Sequence, residues 1–461
     1  MTNIVTLSVE LVLEIVSHLD SNDYSAVRAT CTTLASAVDS AFFETLIVPT
    51  NRLNVDLLAA VAQHGSPWST RSRTLLVAPG RSTKKLKGAT EQADVATEDH
   101  WQLGGATALV RALTQLANVS VVRYKICAED PEWLIGAVFA AFQHLPFHEL
   151  ELKIESGQLA LLPPLSNTSL RTLKVHAPVW YRPIPHLYGA PPVPEGPAAP
   201  SLGYQVAAIV GQNPGLQKLH LFNGKHWDEV WNALLRSSIR LRSLSTNKLN
   251  ALAMGYLGGY SGLERLTAED HDAGSTSAND REAAIFFGKV LPKHAATLRE
   301  LRCASEYESR WCFGRHNETA LRHLTALRIL EMSVHSEELR SESSETPIPL
   351  LFELATSLPS LTNFGILCSD GESTRGARCG NPRRGHREWT FATVQRAIPP
   401  DLNRIGIRED TDAYRRGASS WDVAVKQGPK WLRASPKYPY DLESTVFLAY
   451  RRMLWAGEVL R

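Results

Sequence analysis

Side chains suited to catalysis or metal binding are present, but their spacing does not suit that chemistry. His144 and His148 stand four residues apart, as in a helical zinc pair. Pro146 lies between them and breaks the helix that would aim both rings at one ion. Glu269-Asp270-His271-Asp272 reads as an acidic loop without the alternating ligand positions of a calcium site. Gly259-Tyr260-Ser261-Gly262-Leu263 approaches a nucleophile elbow and misses its last glycine. Gly288-Lys289 lacks the glycine-rich loop that cradles phosphate. Cys31, Cys127, Cys303, Cys312, Cys368 and Cys379 include no CxxC pair, which fits reduced thiols better than a zinc or disulfide framework. The expectation is a chain without a catalytic site, metal or cofactor.

Composition points the same way. With 461 residues, 44% hydrophobic and 21% charged, the chain is long enough to bury one or more cores. Its 49 basic and 47 acidic residues are spread along the length, a balance that argues against a nucleic-acid coat. The opening MTNIVTLSVELVLEIVSHLD has no basic start, and no apolar run is long enough to span a bilayer. A soluble protein of the cytoplasm and/or nucleus is expected, with neither membrane nor nucleic acid as partner.

Residues 8–19 read as a helix, with Ser8 as N-cap and Glu10 in the first turn. Glu10, Glu14, Ser17 and His18 form one narrow polar stripe. Val9, Leu11, Val12, Leu13, Ile15, Val16 and Leu19 fill an apolar arc too wide for one neighbour to cover. A second helix is expected through Tyr24, Val27, Cys31 and Leu34, and a third through Val38, Phe42 and Leu46. Three such helices bury too little to stand alone, so the surplus arc reads as a docking surface.

This stretch resembles an F-box. Leu7, Glu10, Leu11, Ile15, Leu19, Asp20, Asp23, Val27, Cys31 and Leu34 fall where that family's pattern expects such residues. Ser8 replaces the family's usual proline, which removes a rigid helix start, and Leu34 replaces a late tryptophan. The resemblance covers about the first tenth of the chain. It implies that residues 1–48 dock on the adaptor subunit of an SCF-type ligase, and through it on a cullin and a RING protein. Leu7, Ser8, Val9, Leu11, Ile15 and Leu19 would form the contact.

Beyond it an apolar-x-x-apolar-x-apolar pattern recurs. The copies are Val119/Val122/Tyr124, Phe147/Leu150/Leu152, Leu170/Leu173/Val175, Leu216/Leu219/Leu221, Leu263/Leu266/Ala268, Leu298/Leu301/Cys303, Leu327/Leu330/Met332, Leu361/Phe364/Ile366 and Leu402/Ile405/Ile407. Leu241/Leu244 is a weaker copy ending in Thr246. Several spacings match leucine-rich repeats of roughly 20–29 residues, and helical stretches lie between. The expected fold class is α/β: a short three-helix F-box, then an irregular leucine-rich-repeat solenoid over 49–440, with a parallel sheet on its concave face. Only Cys127 fills the position that regular repeats give to Asn or Cys, so no continuous asparagine ladder is expected. Inserts are expected at 178–200, rich in proline, and at 369–388, where residues 375–387, carrying Arg375, Arg378, Arg383, Arg384 and Arg387, read as a mobile loop. A capping helix is expected over 441–461.

In each copy the residues between and beside the apolar positions turn to the open face. That places Glu149, Glu151, Lys153, Thr172, Lys174 and His176 there, followed by Lys218, His220, Phe222, Arg265, Thr267, Glu269, Glu300 and Arg302. Lys218, His220, Phe222, Arg265 and Arg302 are the candidate substrate-binding residues, with Phe222 expected as an exposed anchor.

Overall fold

The computed structural model describes residues 7–18, 23–51, 53, 55–79, 95–155, 162–177, 201–222, 227–335, 338–339, 347–375 and 389, and the backbone of 404–409, 421–427 and 430–437. The chain forms two compact units, Met1–Leu216 with Arg236–Ile239, and Gln217–Leu235 with Arg240–Arg461.

The first unit opens with helices α1 (Val9–Ser17), α2 (Tyr24–Arg28) and α3 (Thr32–Phe42). Two helix limits differ from expectation. α2 stops at Arg28, so Cys31 is the N-cap of α3 and Leu34 lies inside α3. The third helix ends at Phe42, and Leu46 belongs to a strand, β1 (Thr45–Pro49). The run Leu46-Ile47-Val48 suits a half-buried strand better than a helix turn. Val12 and Val16 of α1 pack on Leu34 and Val38 of α3, and Leu7, Tyr24, Val27 and Phe42 lean on this cluster.

β2 (Thr74–Ala78), β3 (Val121–Ile126), β4 (Glu149–Ile154) and β5 (Thr172–His176) follow β1 in one parallel sheet, in chain order. The second unit repeats the arrangement with β6 (Lys218–Phe222), β7 (Ser243–Thr246), β8 (Arg265–His271), β9 (Glu300–Ser305), β10 (Ile329–Val334) and β11 (Asn363–Cys368). Helices such as Glu132–Phe142, Leu202–Gln212, Ala251–Gly258 and Pro347–Ser357 alternate with the strands. Several starts are set by capping: Ser201 accepts from Tyr204 N at 3.3 Å, and Asn250 from Ala253 N at 3.0 Å. The architecture is α/β, parallel strands alternating with helices.

The apolar pattern sets the register. Leu46, Leu75, Val122, Leu150 and Leu173 lie level across the first unit, with Val48, Val77, Tyr124, Leu152 and Val175 level beside them. In the second unit Leu219, Leu244, Leu266, Leu301, Leu330 and Phe364 form one row, and Leu221, Thr246, Ala268, Cys303, Met332 and Ile366 the next. None of these residues is more than 2% exposed. A slip of one residue would turn every one of them outward, so burial enforces the register.

Nine of the expected copies, including the weak one at Leu241, coincide with β3 to β11. Two further copies precede them, Phe43/Leu46/Val48 on β1 and Ser72/Leu75/Val77 on β2. Ser72 is fully buried, and its hydroxyl donates to Phe43 O at 2.9 Å. The expected tenth copy behaves differently. Ile405 and Ile407 lie on β12 (Arg404–Glu409), antiparallel to β13 (Trp421–Gln427). The strand beside β11 is instead β14 (Lys430–Lys437).

Two loop expectations are also corrected. Glu269, Asp270 and His271 belong to β8, where buried His271 pairs with Glu282 at 2.7 Å. Arg375, expected at the start of a mobile loop, is tied down, as are the residues that lead to it. Ser369 Oγ donates to Ser305 O at 2.8 Å, and Asp370 N to Glu306 O at 2.9 Å. Arg375 lies over the Tyr307 ring at 4.0 Å and bonds Asp272 and Glu372 at 2.7 and 2.6 Å. The insert at 178–200, the rest of the arginine cluster, Leu402 and the expected capping helix lie outside the described residues, as does Leu19.

Candidate interaction surfaces

The first surface is α1. Val12 and Val16 face inward at 3% and 4% exposure, whereas Leu11, Leu13 and Ile15 are exposed by 54%, 41% and 41%. At 100° per residue Leu11 and Ile15 lie on one side of the buried pair and Leu13 on the other. The arc that seemed too wide for one neighbour is buried along its centre and open along both flanks. Leu7 is half-buried against the α1–α3 cluster. Ser8 is at the N-cap position, but its side chain makes no capping bond. The backbone amide of Glu10 and the Ser8 hydroxyl instead hold the Glu10 carboxyl below its ordinary value.

The same helices are tied to the short helix Pro67–Arg71 that follows β1. Asp39 on α3 bonds Arg28 at 2.6 Å and Arg71 at 3.1 Å. Phe42, Phe43 and Trp68 form an aromatic trio with ring centres 4.7 to 5.8 Å apart, and Arg28 lies over both phenylalanines.

The second surface is the face of each sheet opposite the apolar rows. Across β3, β4 and β5 the register sets Arg123, Glu151 and Lys174 in one row. Glu151 is 9% exposed and gathers Arg123 at 3.4 Å, Lys153 at 3.1 Å and His176 at 3.7 Å. Lys174 takes Glu149 at 2.8 Å, and Lys125 takes Glu155 at 2.8 Å. Thr172 is buried at 4% exposure. This face satisfies its own charges.

Across β6, β7 and β8 the corresponding rows are Lys218–Ser243–Arg265 and His220–Ser245–Thr267, the second continuing to Arg302 and Glu331. Lys218 is exposed and has no ion-pair partner among the described residues. Arg265 reaches Glu300 at 3.3 Å with 54% of its side chain exposed. Arg302 is committed to Glu331, which is itself 4% exposed. Phe222, expected to be exposed, is half-buried with its ring 6.1 Å from that of His220. The register thus joins Lys218 to Arg265 and His220 to Arg302, and leaves Phe222 as a packed side chain.

The chain matches no family model and no curated protein. Among the described residues no group of three His, Cys, Asp or Glu side chains could hold a metal ion. Nor is any helix among them long and apolar enough to cross a membrane.

Sequence reasoning looked for asparagines after the strands and missed those before them. Asn167 Nδ2 donates to Phe142 O and Leu145 O at 3.2 and 2.9 Å. Asn213 Nδ2 donates to Leu165 O and Ile209 O at 2.8 and 2.6 Å, while its Oδ1 accepts from Asn167 N at 2.9 Å. Both stand three residues ahead of a copy's first apolar position, a regularity visible in the sequence. They satisfy turn groups that burial would otherwise leave unpaired.

Proposed function

We propose that the chain is the substrate-recognition subunit of an SCF-type cullin–RING ubiquitin ligase. In this reading an F-box docks the adaptor, and an irregular leucine-rich-repeat domain presents a protein substrate. The observation that carries it is α1. Leu11 and Ile15 on one flank and Leu13 on the other stay open beside the α1–α3 cluster, and Leu11 and Ile15 stand at positions that match the F-box pattern. Two departures from that pattern keep features the reading needs. Ser8 has φ −64°, the value a proline would impose, and Leu34 is buried in the cluster as the family's tryptophan would be. The in-register apolar rows within each unit support an array of stacked repeats. The contribution of such a subunit is proximity, with bond chemistry left to other chains.

Changing both Leu11 and Ile15 to Asp tests the assignment. Both are largely exposed, so the melting temperature should stay within a few degrees. Adaptor binding should fall at least a hundredfold, because the new charges would have to be desolvated in the contact. Unchanged adaptor affinity removes the F-box assignment.

A second reading is favoured by the Asp39 ion pairs and the Phe42–Phe43–Trp68 trio, which bind the helices to the first repeats. Such helices would serve as the N-terminal cap of a repeat scaffold outside any ligase. Wild-type protein that binds no adaptor at all would select this reading.

A further inference from the structure

Lys218 and Arg265 lie two strands apart in the same row, with only Ser243 between them. Neighbouring strands are about 4.8 Å apart, so the two cations rise roughly 10 Å from one another. Ser245 and Thr267 continue the floor in the next row, between His220 and Arg302. The result is a shallow trough whose floor is hydroxyl-bearing and whose two walls are basic. Ser243 and Ser245 are buried at 8% and 6% exposure beneath longer neighbours.

The two wall cations differ in what holds them. Lys218 makes no ion pair among the described residues, and Arg265 meets Glu300 through Nε at 3.3 Å on an exposed surface. Exposed pairs of that kind contribute little and exchange partners readily. A carboxylate over Ser243 would accept from the Lys218 ammonium, the Arg265 guanidinium and the serine hydroxyl together, three donors with no competing acceptor charge between them. A trough this open strips little water from a lone small anion. An extended chain laid across several strands excludes more, and can place one acid in each row.

We propose that this trough binds an acidic segment of a protein, seating an Asp or Glu carboxylate between Lys218 and Arg265 over Ser243. The proposal rests on the reading of this sheet face as the substrate surface, and it names the substrate's chemistry.

The test uses the full chain and fluorescence anisotropy with a labelled twelve-residue peptide of alternating Asp and Ser around one Leu. A second peptide carries Asn in place of every Asp. The acidic peptide should bind at least tenfold more tightly than its Asn counterpart. Lys218→Ala with Arg265→Ala should remove that preference. Ser243→Glu should remove it too while keeping both cations, because the new carboxylate occupies the seat. Equal affinity for the two peptides, or a preference that survives both variants, overturns the proposal. So does a phosphoserine peptide that binds where the Asp peptide does not. Adaptor binding measured on the same preparations separates the two ideas. Loss of the peptide preference with adaptor binding intact leaves the ligase reading standing. Peptide binding without adaptor binding ends the ligase reading alone.

Discussion

Two rows of side chains on the open sheet faces differ by one residue type. In Arg123–Glu151–Lys174 an acid stands between two bases, and the local charges close on themselves. In Lys218–Ser243–Arg265 a serine stands in the middle, and the bases face solvent without an acid between them. Both rows are set by in-register parallel pairing, and they differ in the charge at the centre. A row that neutralises itself offers a ligand little. A row with a gap can accept the missing acid from another molecule. The tie at Arg375 is the inverse arrangement, a base held between Asp272 and Glu372.

The largest expected effect comes from taking the acid out of the closed row. Glu151→Ala leaves Arg123, Lys153 and His176 crowded around a vacated and nearly buried site. A loss of about 1 to 2 kcal/mol in urea denaturation is expected, the upper end limited by the exposure of Arg123 and Lys153. A change below a few tenths would show that this cluster is ornamental to stability.

Filling the open row should act in the other direction. Ser243→Glu turns Lys218–Ser243–Arg265 into a copy of the closed row and should stabilise by about 0.2 to 1 kcal/mol, the usual range for a cross-strand pair of opposite charges. Destabilisation would mean that the floor at Ser243 is too tightly covered to admit a longer side chain.

The smallest effect concerns Arg375 and depends on pH. Burial raises the Asp272 carboxyl, but the bond from Arg375, helped by Gly274 N and Asn279, outweighs it and leaves Asp272 below its ordinary value of 3.8. Arg375 likewise holds Glu372 below its ordinary value of 4.5. Folded values below unfolded ones mean that the stabilisation is complete above roughly pH 5 and is lost as pH falls through the depressed values. Wild type should therefore be more stable than Arg375→Gln at pH 6, by an amount on the order of 1 kcal/mol or less given partial exposure, and the gap should narrow progressively as pH falls below the ordinary carboxyl values of 4.5 and 3.8. A gap that does not change with pH would assign the effect to the stacking on Tyr307.

Local pattern made much of the fold legible. An apolar-x-x-apolar-x-apolar segment needs its last two apolar positions buried on one face, and neighbouring copies achieve this only in register. Nine strands could be placed for that reason, including the weak copy whose Thr246 is buried with its hydroxyl accepting from Lys248 N at 3.1 Å. The pattern failed where a competing periodicity could absorb it. Val38, Phe42 and Leu46 also fit a helical spacing, which concealed the copy on β1. The copy on β2 starts with Ser72, a polar residue that burial allows only because Phe43 O accepts from it. The copy at Leu402 had no local sign that its strand would run antiparallel to its neighbour.

By itself, then, the sequence determined which residues face the core and which face outward, because a period-two strand leaves no other way to bury leucine rows. On α1 it also marked an apolar arc wider than one neighbour needs. Only the tertiary structure decided which outward residues meet. Lys218, Ser243 and Arg265 are far apart along the chain, and nothing local relates them. Cross-strand pairing sets them side by side, as it sets Glu151 among three bases, and such pairing joins residues that no local pattern relates.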